Sequence, residues 1–431
     1  MSLQSRAALA ALVALAALPA APPDALRAQA PAAAPAGQTP PAQPAQPAPV
    51  FQPVSTPAVT PSPTPPAAQP PRGDTTAARV QPTQLQPPVR AALTGVVPPP
   101  TPAGQVNVPV DADMLAVLER LNVLVPAPIE TVDPATARQF PTPADAANEV
   151  ARRTNIAGLG EPSQTGMGVA VRDTSIPGPA GPLPVRVYRP QGATGPLPVI
   201  VYFHGGGWVI ADRNVYDGGA RGLAKNANAV VMSVEYRRAP EARFPAAHDD
   251  ALAAYRWASQ NAASIGGDAR RLALAGESAG GNLAVATAVA ARDARLPAPR
   301  HIVAVYPVAQ TDTTTPSYAQ YALSKPLSRG MIGWFVGYTV RTPADLQDPR
   351  LKLTAANLRG LAPVTIVNAE IDVLRDDGAQ LEQALRGAGV SVERRLYPGV
   401  THEFFGMAPV VAKAAQAQQY AGARLRAAFG R

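Results

Sequence analysis

The chain has 431 residues, of which 51 are proline, 34 are glycine and none is cysteine. The lack of cysteine excludes disulfide scaffolds and thiol chemistry. No uninterrupted apolar run reaches the roughly 18 residues of a membrane span, which excludes a protein with several membrane helices. The formal charge of +8 includes +3 from residues 1–104 and +5 from the remainder. Because nucleic-acid-binding proteins usually concentrate basic residues on one face and no dense Lys/Arg run occurs, that class is not predicted.

The first 30 residues have the layout of a secretory signal peptide. Arg6 precedes an apolar run of 12 residues, Ala7–Leu18, and small residues follow, including Ala28 and Ala30. A buried alanine-rich helix is the alternative, but Pro19 and the proline-rich sequence after it leave such a helix no partner core. We therefore expect export to the periplasm or the medium, with the cleavage site left open.

Residues 31–104 are predicted to be a disordered linker rich in Pro, Ala and Gln. Of the 51 prolines, 24 lie between Pro22 and Gly104, together with one aromatic residue and six charges. Such a segment cannot bury enough apolar surface to offset its chain entropy. Residues 105–431 are predicted to form the folded domain.

Helical periodicity begins near residue 110. The apolar face of this first helix is predicted to carry Leu115, Leu118, Leu121 and Val125. Asp111 or Asp113 is predicted to cap it. A second helix is predicted over residues 144–153.

From Val169 onward, short β-rich runs alternate with helical stretches. The predicted strands are Val169–Val171, Val185–Tyr188, Val199–Phe203, Val230–Val234, Leu272–Gly276, Ile302–Tyr306, Val364–Val367 and Val392–Tyr397. The predicted helices are Ala220–Asn226, Ala246–Asn261, Ala279–Arg292, Ala379–Gly387 and Val410–Phe429. The last six strands are interpreted as nearly unbroken apolar runs, which are typical of strands covered on both faces.

This alternation predicts an α/β fold with a mostly parallel, eight-stranded sheet flanked by helices. The interval 311–348 is long for a loop, and we expect it to contain an inserted helix over the open end of the sheet.

The segment Gly276-Glu277-Ser278-Ala279-Gly280 follows a predicted strand and begins a predicted helix. In a G-x-S-x-G turn, small flanking residues let the serine occupy a strained strand-to-helix turn that exposes its hydroxyl. A glycine-rich helix start is the alternative, and the pattern alone is weak evidence. The strand–turn–helix context favours Ser278 as a nucleophile.

A run of three glycines, in His204–Trp208 (HGGGW), follows an earlier predicted strand. Successive glycines let backbone N–H groups approach a substrate oxygen and stabilise the oxyanion that forms when a hydroxyl attacks an acyl carbon. A flexible glycine turn is the alternative. Neither nucleotide-binding glycine pattern is matched. No metal-ligand spacing occurs, so neither a metal nor another cofactor is predicted.

The chain has four histidines, and only His301 and His402 follow Ser278, where this order of motifs places the base. His301 begins a strand, and no acid after a strand separates it from Ser278, so a packed or solvated histidine is favoured there. His204 belongs to the glycine loop and His248 to the start of a helix. His402, in the loop after the last predicted strand, is therefore the predicted base.

The acid that orients the base is expected in the loop after the strand Val364–Val367. Three carboxylates are candidates there: Glu370, Asp372 and Asp376. We favour Asp372, with Asp376 as a supporting residue and Glu370 as a weaker rival. A buried carboxylate at this place fixes the tautomer of the imidazole and stabilises the imidazolium.

Five segments together resemble the bacterial hormone-sensitive-lipase-like family of α/β-hydrolases. In chain order they are His204–Trp208 (HGGGW), Tyr236–Glu241 (YRRAPE), Gly276–Asn282 (GESAGGN), Asp372–Asp376 (DVLRD) and His402–Phe404 (HEF). The resemblance covers residues 110–430 and implies Ser278 as nucleophile, His402 as base and Asp372 as acid. It assigns the oxyanion hole to the backbone N–H groups of Gly206, Gly207 and Ala279.

The resemblance also implies a cap over the site. The segments that match it are residues 110–160 and 311–348. Trp208, Glu277 and Phe404 are candidate pocket residues, and Trp334 is a further aromatic candidate. Glu277 stands where the family more commonly has Asp, and we expect this difference to tune the activity without abolishing it.

These features predict a serine carboxylesterase that hydrolyses short- to medium-chain acyl esters through an acyl-enzyme intermediate. An amidase, a peptidase or an acyltransferase with the same three residues remains an alternative, because the choice of leaving group resides in the pocket shape. A non-catalytic surface-binding protein on a hydrolase scaffold is a minor alternative. The expected partner is a small ester, and no nucleic acid or integral membrane span is expected.

Overall fold

The computed structural model describes residues 108–154 and 168–430. The predicted signal peptide and the predicted disordered linker lie outside these residues and stay predictions, as does the start of the folded domain at residue 105. Within the described ranges, none of the helices combines the length and the hydrophobicity that crossing a membrane requires.

Eight strands form one sheet in the described part of the chain. They are β1 (Val169–Gly178), β2 (Gly181–Pro190), β3 (Leu197–Phe203), β4 (Val230–Val234), β5 (Gly267–Glu277), β6 (Ile302–Val305), β7 (Val364–Ile371) and β8 (Val392–Thr401). Their order in the sheet is β1-β2-β4-β3-β5-β6-β7-β8. Strands β1 and β2, and β2 and β4, pair antiparallel, and all other neighbours pair parallel. The predicted α/β fold with a mostly parallel, eight-stranded sheet is confirmed.

Helices cover both faces of this sheet. Those described are α1 (Ala112–Leu124), α2 (Pro134–Ala137), α3 (Pro143–Arg153), α4 (Asp217–Ala227), α5 (Ala246–Asn261), α6 (Ala279–Asp293), α7 (Pro316–Gln320), α8 (Arg329–Thr339), α9 (Arg375–Gly387) and α10 (Ala412–Ala428). Helices α5, α6 and α9 pack on one face, and α1, α3, α4 and α10 pack on the other.

Strand β3 shows why both faces are apolar. Every one of its residues is buried. Because side chains alternate along a strand, Val199, Val201 and Phe203 join the core on one face, while Ile200 and Tyr202 join the core on the other. A central strand of this kind therefore has a continuous apolar sequence.

Two expectations about exposure are wrong. Residues 392–396 of strand β8 are exposed or only partly buried, because β8 forms an edge of the sheet and, among the described strands, pairs only with β7. Helix α1 buries Met114, Val117 and Leu121, whereas Leu115 is 43% exposed. The other three residues of the predicted face pack against the core, with Leu121 buried and Leu118 and Val125 partly buried. Only the assignment of Leu115 is wrong, because the buried side of the helix is centred nearer to Met114 and Val117.

The predicted carboxylate cap of α1 is also absent. Asp111 precedes the helix, but its side chain accepts no capping hydrogen bond and instead pairs with Lys413 at 2.6 Å. Asp113 accepts hydrogen bonds from the backbone N–H groups of Met114 and Ala412. Both carboxylates therefore help to join α1 to the start of α10.

The first turn of α6 lies very close to the carboxyl end of β3. A Cβ atom added to Gly280 would stand 2.0 Å from the carbonyl oxygen of Phe203 and 2.5 Å from that of His204. Backbone atoms cannot move aside as a flexible side chain can, so only glycine fits here. This contact fixes the position at which α6 begins, directly after Ser278.

We predict that Gly280→Ala destabilises the fold by about 2 kcal/mol or more, because it overpacks a contact between two backbone segments. The matched control is Gly333→Ala in α8, where nothing lies within 4 Å of an added Cβ. That change is expected to stabilise by about 0.5–1 kcal/mol through helix propensity. Urea unfolding of both variants checks the pair, and equal effects would contradict the packing explanation.

Candidate active site

Ser278 lies in a strained turn between β5 and α6. Its backbone has φ 58° and ψ −119°, a region that non-glycine residues rarely occupy. The turn is held by hydrogen bonds from the Ser278 N–H to the carbonyl oxygen of Val305 (2.9 Å) and from the Asn282 N–H to the carbonyl oxygen of Ser278 (3.1 Å). Ser278 is 5% exposed and lines the main cavity of the domain.

His402 and Asp372 lie at the carboxyl ends of the last two strands and form a direct pair. The Asp372 Oδ2 atom is 2.7 Å from His402 Nδ1, and Asp372 Oδ1 accepts a hydrogen bond from the Leu374 N–H. Burial disfavours the charged imidazole and is the largest single effect, but the charge and hydrogen bond of Asp372, with the nearby carboxyl groups of Glu403 and Glu277, together raise the pKa of His402 above its ordinary value of 6.5. The ring of Tyr306 packs against the imidazole, with the ring centroids 4.5 Å apart. His402 lines the same cavity as Ser278.

Hydrogen bonds from within the loop and from neighbouring segments engage the carbonyl groups of Gly206, Gly207 and Trp208 in the glycine loop after β3. The carbonyl oxygen of Gly206 accepts from two N–H groups of the loop itself, and that of Trp208 accepts from the Ala239 N–H. The carbonyl oxygen of Gly207 accepts from the Thr339 hydroxyl at 3.2 Å. Both Gly206 and Gly207 have positive φ, which suits glycine.

Three N–H groups stay available beside Ser278. Among the described residues, no acceptor forms a hydrogen bond with the backbone N–H of Gly206, Gly207 or Ala279. Ala279 is the first residue of α6, where the helix leaves its N–H groups unpaired. These three groups are thus free to bind a negatively charged oxygen.

The main cavity has a volume of about 690 Å³. Its base contains Ser278 and His402, and its upper walls come from residues 121–143 and 322–335. These two segments contact each other, since the Lys325 Nζ donates a hydrogen bond to Asn122 Oδ1. Arg138 joins the first segment to the glycine loop by donating to the carbonyl oxygen of Val209 at 2.8 Å. Whether the two segments constitute a separate cap stays a prediction.

Comparison with known proteins places this arrangement in a family. A family model described as alpha/beta hydrolase fold matches residues 200–406. The carboxylesterase NlhH of Mycobacterium tuberculosis is 42% identical over 240 residues, which cover 54% of this chain and 75% of that protein. An ethyl acetate hydrolase of Pseudomonas putida is 39% identical over 236 residues, covering 54% of this chain and 74% of that enzyme. The crystal structure of a thermostable esterase from Pseudomonas putida superposes with a TM-score of 0.66 at 32% identity, covering 74% of this chain and 97% of that one.

This chain belongs to the hormone-sensitive-lipase-like α/β-hydrolases. The family resemblance that the five motifs indicate is therefore confirmed, and so is the α/β-hydrolase fold. As a member of this family the chain is a carboxylic ester hydrolase.

The other three histidines of the hydrolase do not line the main cavity. His204 stacks on Tyr236 with ring centroids 4.2 Å apart, and His248 Nε2 lies 3.0 Å from Asn282 Oδ1. His301 Nε2 lies 2.8 Å from the Thr365 hydroxyl. All three are buried, and within the described ranges His402 is the one histidine that pairs with a carboxylate.

The two rival acids serve other contacts in the hydrolase. Glu370 accepts a hydrogen bond from the Gly399 N–H at 2.9 Å. Asp376 accepts from the Ser317 N–H at 2.8 Å and so anchors α7. Neither carboxylate is bonded to His402. Of the three carboxylates considered from the sequence, the structure brings only Asp372 to the imidazole.

The predicted pocket residues occupy different places. Trp208 lines a second, smaller cavity next to Ser278. Glu277 does not line the main cavity, because its side chain points from the strand into the core. Phe404 is fully buried and packs near Tyr306 and Tyr397, so its assignment to the pocket is wrong. Trp334 is also absent from both cavity walls.

Sequence reasoning missed a group of tyrosines around Glu277. The two carboxylate oxygens of Glu277 accept hydrogen bonds from the hydroxyls of Tyr202 and Tyr306. Burial raises the pKa of Glu277 to about 7. Tyr306 directly follows β6, at the same edge of the sheet where Ser278 follows β5. This position in the sequence could have indicated that Tyr306 lies close to the site. Through Tyr306, the buried carboxyl group supports the ring that packs on His402.

We predict that Glu277→Gln flattens the dependence of stability on pH between about 5 and 8. The folded protein holds this proton up to a pH of about 7, whereas the ordinary pKa is 4.5. Unfolding therefore releases the proton in this range, and the free energy of unfolding falls as pH rises. The contribution of Glu277 is on the order of 3 kcal/mol.

Urea unfolding of the wild type and of Glu277→Gln at pH 5, 6, 7 and 8 measures this contribution. The glutamine is nearly isosteric and neutral, so the difference between the two proteins isolates the titration of Glu277. Parallel stability curves for the two proteins would show that Glu277 has no raised pKa in the folded state.

Proposed function

We propose that this chain is a serine carboxylesterase that hydrolyses short- to medium-chain acyl esters through an acyl-enzyme intermediate. Ser278 is the nucleophile, His402 the base and Asp372 the acid that orients it. The observation that carries the proposal is the 2.7 Å pair of His402 Nδ1 and Asp372 Oδ2, in which His402 lines the same cavity as the strained Ser278. The related proteins named as esterases support the same chemistry.

In the acylation step, the Ser278 Oγ atom bonds to the acyl carbon while its proton passes to His402 Nε2. The electron pair of the carbonyl group moves to the oxygen, which becomes an oxyanion. The N–H groups of Gly206, Gly207 and Ala279 bind this oxyanion, and each such donor contributes about 3 kcal/mol. The intermediate then expels the alcohol, whose oxygen takes the proton from His402.

In the deacylation step, a water molecule takes the place of the alcohol. His402 removes its proton while the water oxygen bonds to the acyl carbon. A second oxyanion forms in the same hole, and its collapse releases the carboxylic acid and returns the proton to Ser278. The Asp372 carboxylate stabilises the imidazolium at both stages.

We predict that Ser278→Ala lowers kcat for p-nitrophenyl acetate by about 10⁶, because it removes the atom that accepts the acyl group. The thermal unfolding midpoint is expected to stay nearly unchanged, since only one hydroxyl at a cavity wall is lost. The matched control is Ser233→Ala, a buried serine in β4 whose hydroxyl has no hydrogen-bond partner among the described residues. Full activity in Ser278→Ala would overturn the mechanism.

A second prediction concerns pH. Because the Asp372 carboxylate raises the pKa of His402, the base is protonated and inactive at acidic pH. We expect kcat/KM to rise with pH and to level off above an apparent pKa greater than 6.5. Asp372→Asn is expected to lower kcat by about 10⁴ and to move this apparent pKa downward.

The pH profile of kcat/KM for p-nitrophenyl acetate, recorded for the wild type and for Asp372→Asn, checks both effects. Asp376→Asn is the control, since Asp376 contacts α7 and not the imidazole. An apparent pKa that stays in place after Asp372→Asn would exclude Asp372 as the partner of the base.

A further inference from the structure

Two cavities of very different size meet at Ser278. The larger has a volume of about 690 Å³ and the smaller about 50 Å³. Four residues line both: Gly207, Ser278, Leu327 and Phe335. When the acyl carbon of an ester is bound to Ser278, one of its two substituents therefore lies in the larger cavity and the other in the smaller one.

His402 decides which part of the ester lies on each side. It lines the larger cavity and is not among the residues that line the smaller one. When the tetrahedral intermediate collapses, the bond between the acyl carbon and the alcohol oxygen breaks, and that oxygen takes a proton from His402. The alcohol must therefore lie on the side of His402, in the larger cavity. The acyl chain is left with the smaller one.

The smaller cavity suits a short apolar chain. Its walls include Val308, Val336, Val340, Leu346 and Leu351. A space of 50 Å³ is room for about four groups of the size of a water molecule. An acyl chain of about four carbons fills it, and a longer chain has no room without displacing a wall.

Phe335 of α8 is the wall that separates the two cavities. It is 6% exposed, and its ring lies directly on the glycine loop, because a Cβ added to Gly207 would stand 2.2 Å from the Phe335 Cγ atom. The ring of Trp334 packs edge-on against it, with centroids 5.4 Å apart. One turn later, Thr339 donates its hydroxyl to the carbonyl oxygen of Gly207. The position of Phe335 relative to Ser278 is thus fixed by α8 and the glycine loop together.

We propose that Phe335 is a specificity-determining residue that limits the acyl group to about four carbons, while the larger cavity accepts bulky alcohols. The substrates are accordingly short-chain acyl esters of large alcohols. This inference rests on the proposed function, since it needs Ser278 and His402 in their stated roles.

Two series of substrates test the proposal. The acyl series consists of p-nitrophenyl acetate, butanoate and octanoate. The alcohol series consists of ethyl, hexyl and 2-phenylethyl acetate, whose alcohols have similar acidity. We expect kcat/KM to fall by about tenfold or more from butanoate to octanoate, and to hold or rise as the alcohol grows.

Two variants should move the acyl preference in opposite directions. Phe335→Ala joins the cavities and is expected to reduce the preference for butanoate over octanoate by about tenfold. Val336→Phe fills the smaller cavity and is expected to reduce kcat/KM for butanoate relative to acetate by about tenfold. Phe335→Leu serves in place of the alanine variant if that one fails to fold. The control is Tyr338→Ala on the same helix, which lines neither cavity and should leave the acyl profile unchanged.

An unchanged acyl profile in both Phe335→Ala and Val336→Phe would overturn the inference. So would a wild type that accepts octanoate as readily as butanoate but discriminates against large alcohols. In either case ester hydrolysis that depends on Ser278 persists, and the proposed function stands. Hydrolysis that survives Ser278→Ala, or no hydrolysis of any ester, would instead overturn the proposed function and this inference with it.

Discussion

The site depends on the close approach between the first turn of α6 and the carboxyl end of β3. A Cβ atom added to Gly280 would stand 2.0 Å from the carbonyl oxygen of Phe203, and one added to Gly276 would stand 2.1 Å from the carbonyl oxygen of Gly280. This approach forces Ser278 into its strained conformation and brings the N–H of Ala279 beside the glycine loop. The remaining parts follow from the sheet. Strands β3, β5, β7 and β8 are parallel, so the loops that follow them emerge at one edge.

Much of this arrangement was predictable because it is encoded locally. The sequence around Ser278 has the small residues that a strand-to-helix turn requires, and three glycines mark the loop after β3. Helix α5 begins and ends at the predicted residues, Ala246 and Asn261. The pairing of Asp372 with His402 was expected from the order of the motifs along the chain, which places the acid in the loop after β7 and the base in the loop after β8. The preference for Asp372 over Glu370 and Asp376 agrees with the family motif Asp372–Asp376, whereas distance from the predicted strand end at Val367 would have favoured Glu370, which lies within β7.

Other features depend on contacts between distant segments, and no local pattern encodes them. The two tyrosines that bind Glu277 come from β3 and from the residue after β6, so their meeting depends on the register of three strands. Phe335 lies on Gly207 only because the inserted segment folds back over the glycine loop. Phe404 was assigned to the pocket from its place in a motif, yet the backbone turn at Glu403 directs it into the core. The first residues of β8 are exposed because β8 is the last strand of the sheet, and the order of the strands is set by tertiary packing and not by the sequence of β8 itself.

Together these contacts place the proposed nucleophile, the proposed base and the proposed oxyanion-binding loop at one edge of the sheet, next to two cavities of unequal size. The most direct test of this account is covalent labelling with a p-nitrophenyl phosphonate ester, followed by mass spectrometric mapping of the adduct. The account predicts one adduct per chain, located on Ser278, with loss of ester hydrolysis in proportion to labelling and no adduct in Ser278→Ala. An adduct on another residue that abolishes hydrolysis, or full hydrolysis by protein labelled at Ser278, would contradict it.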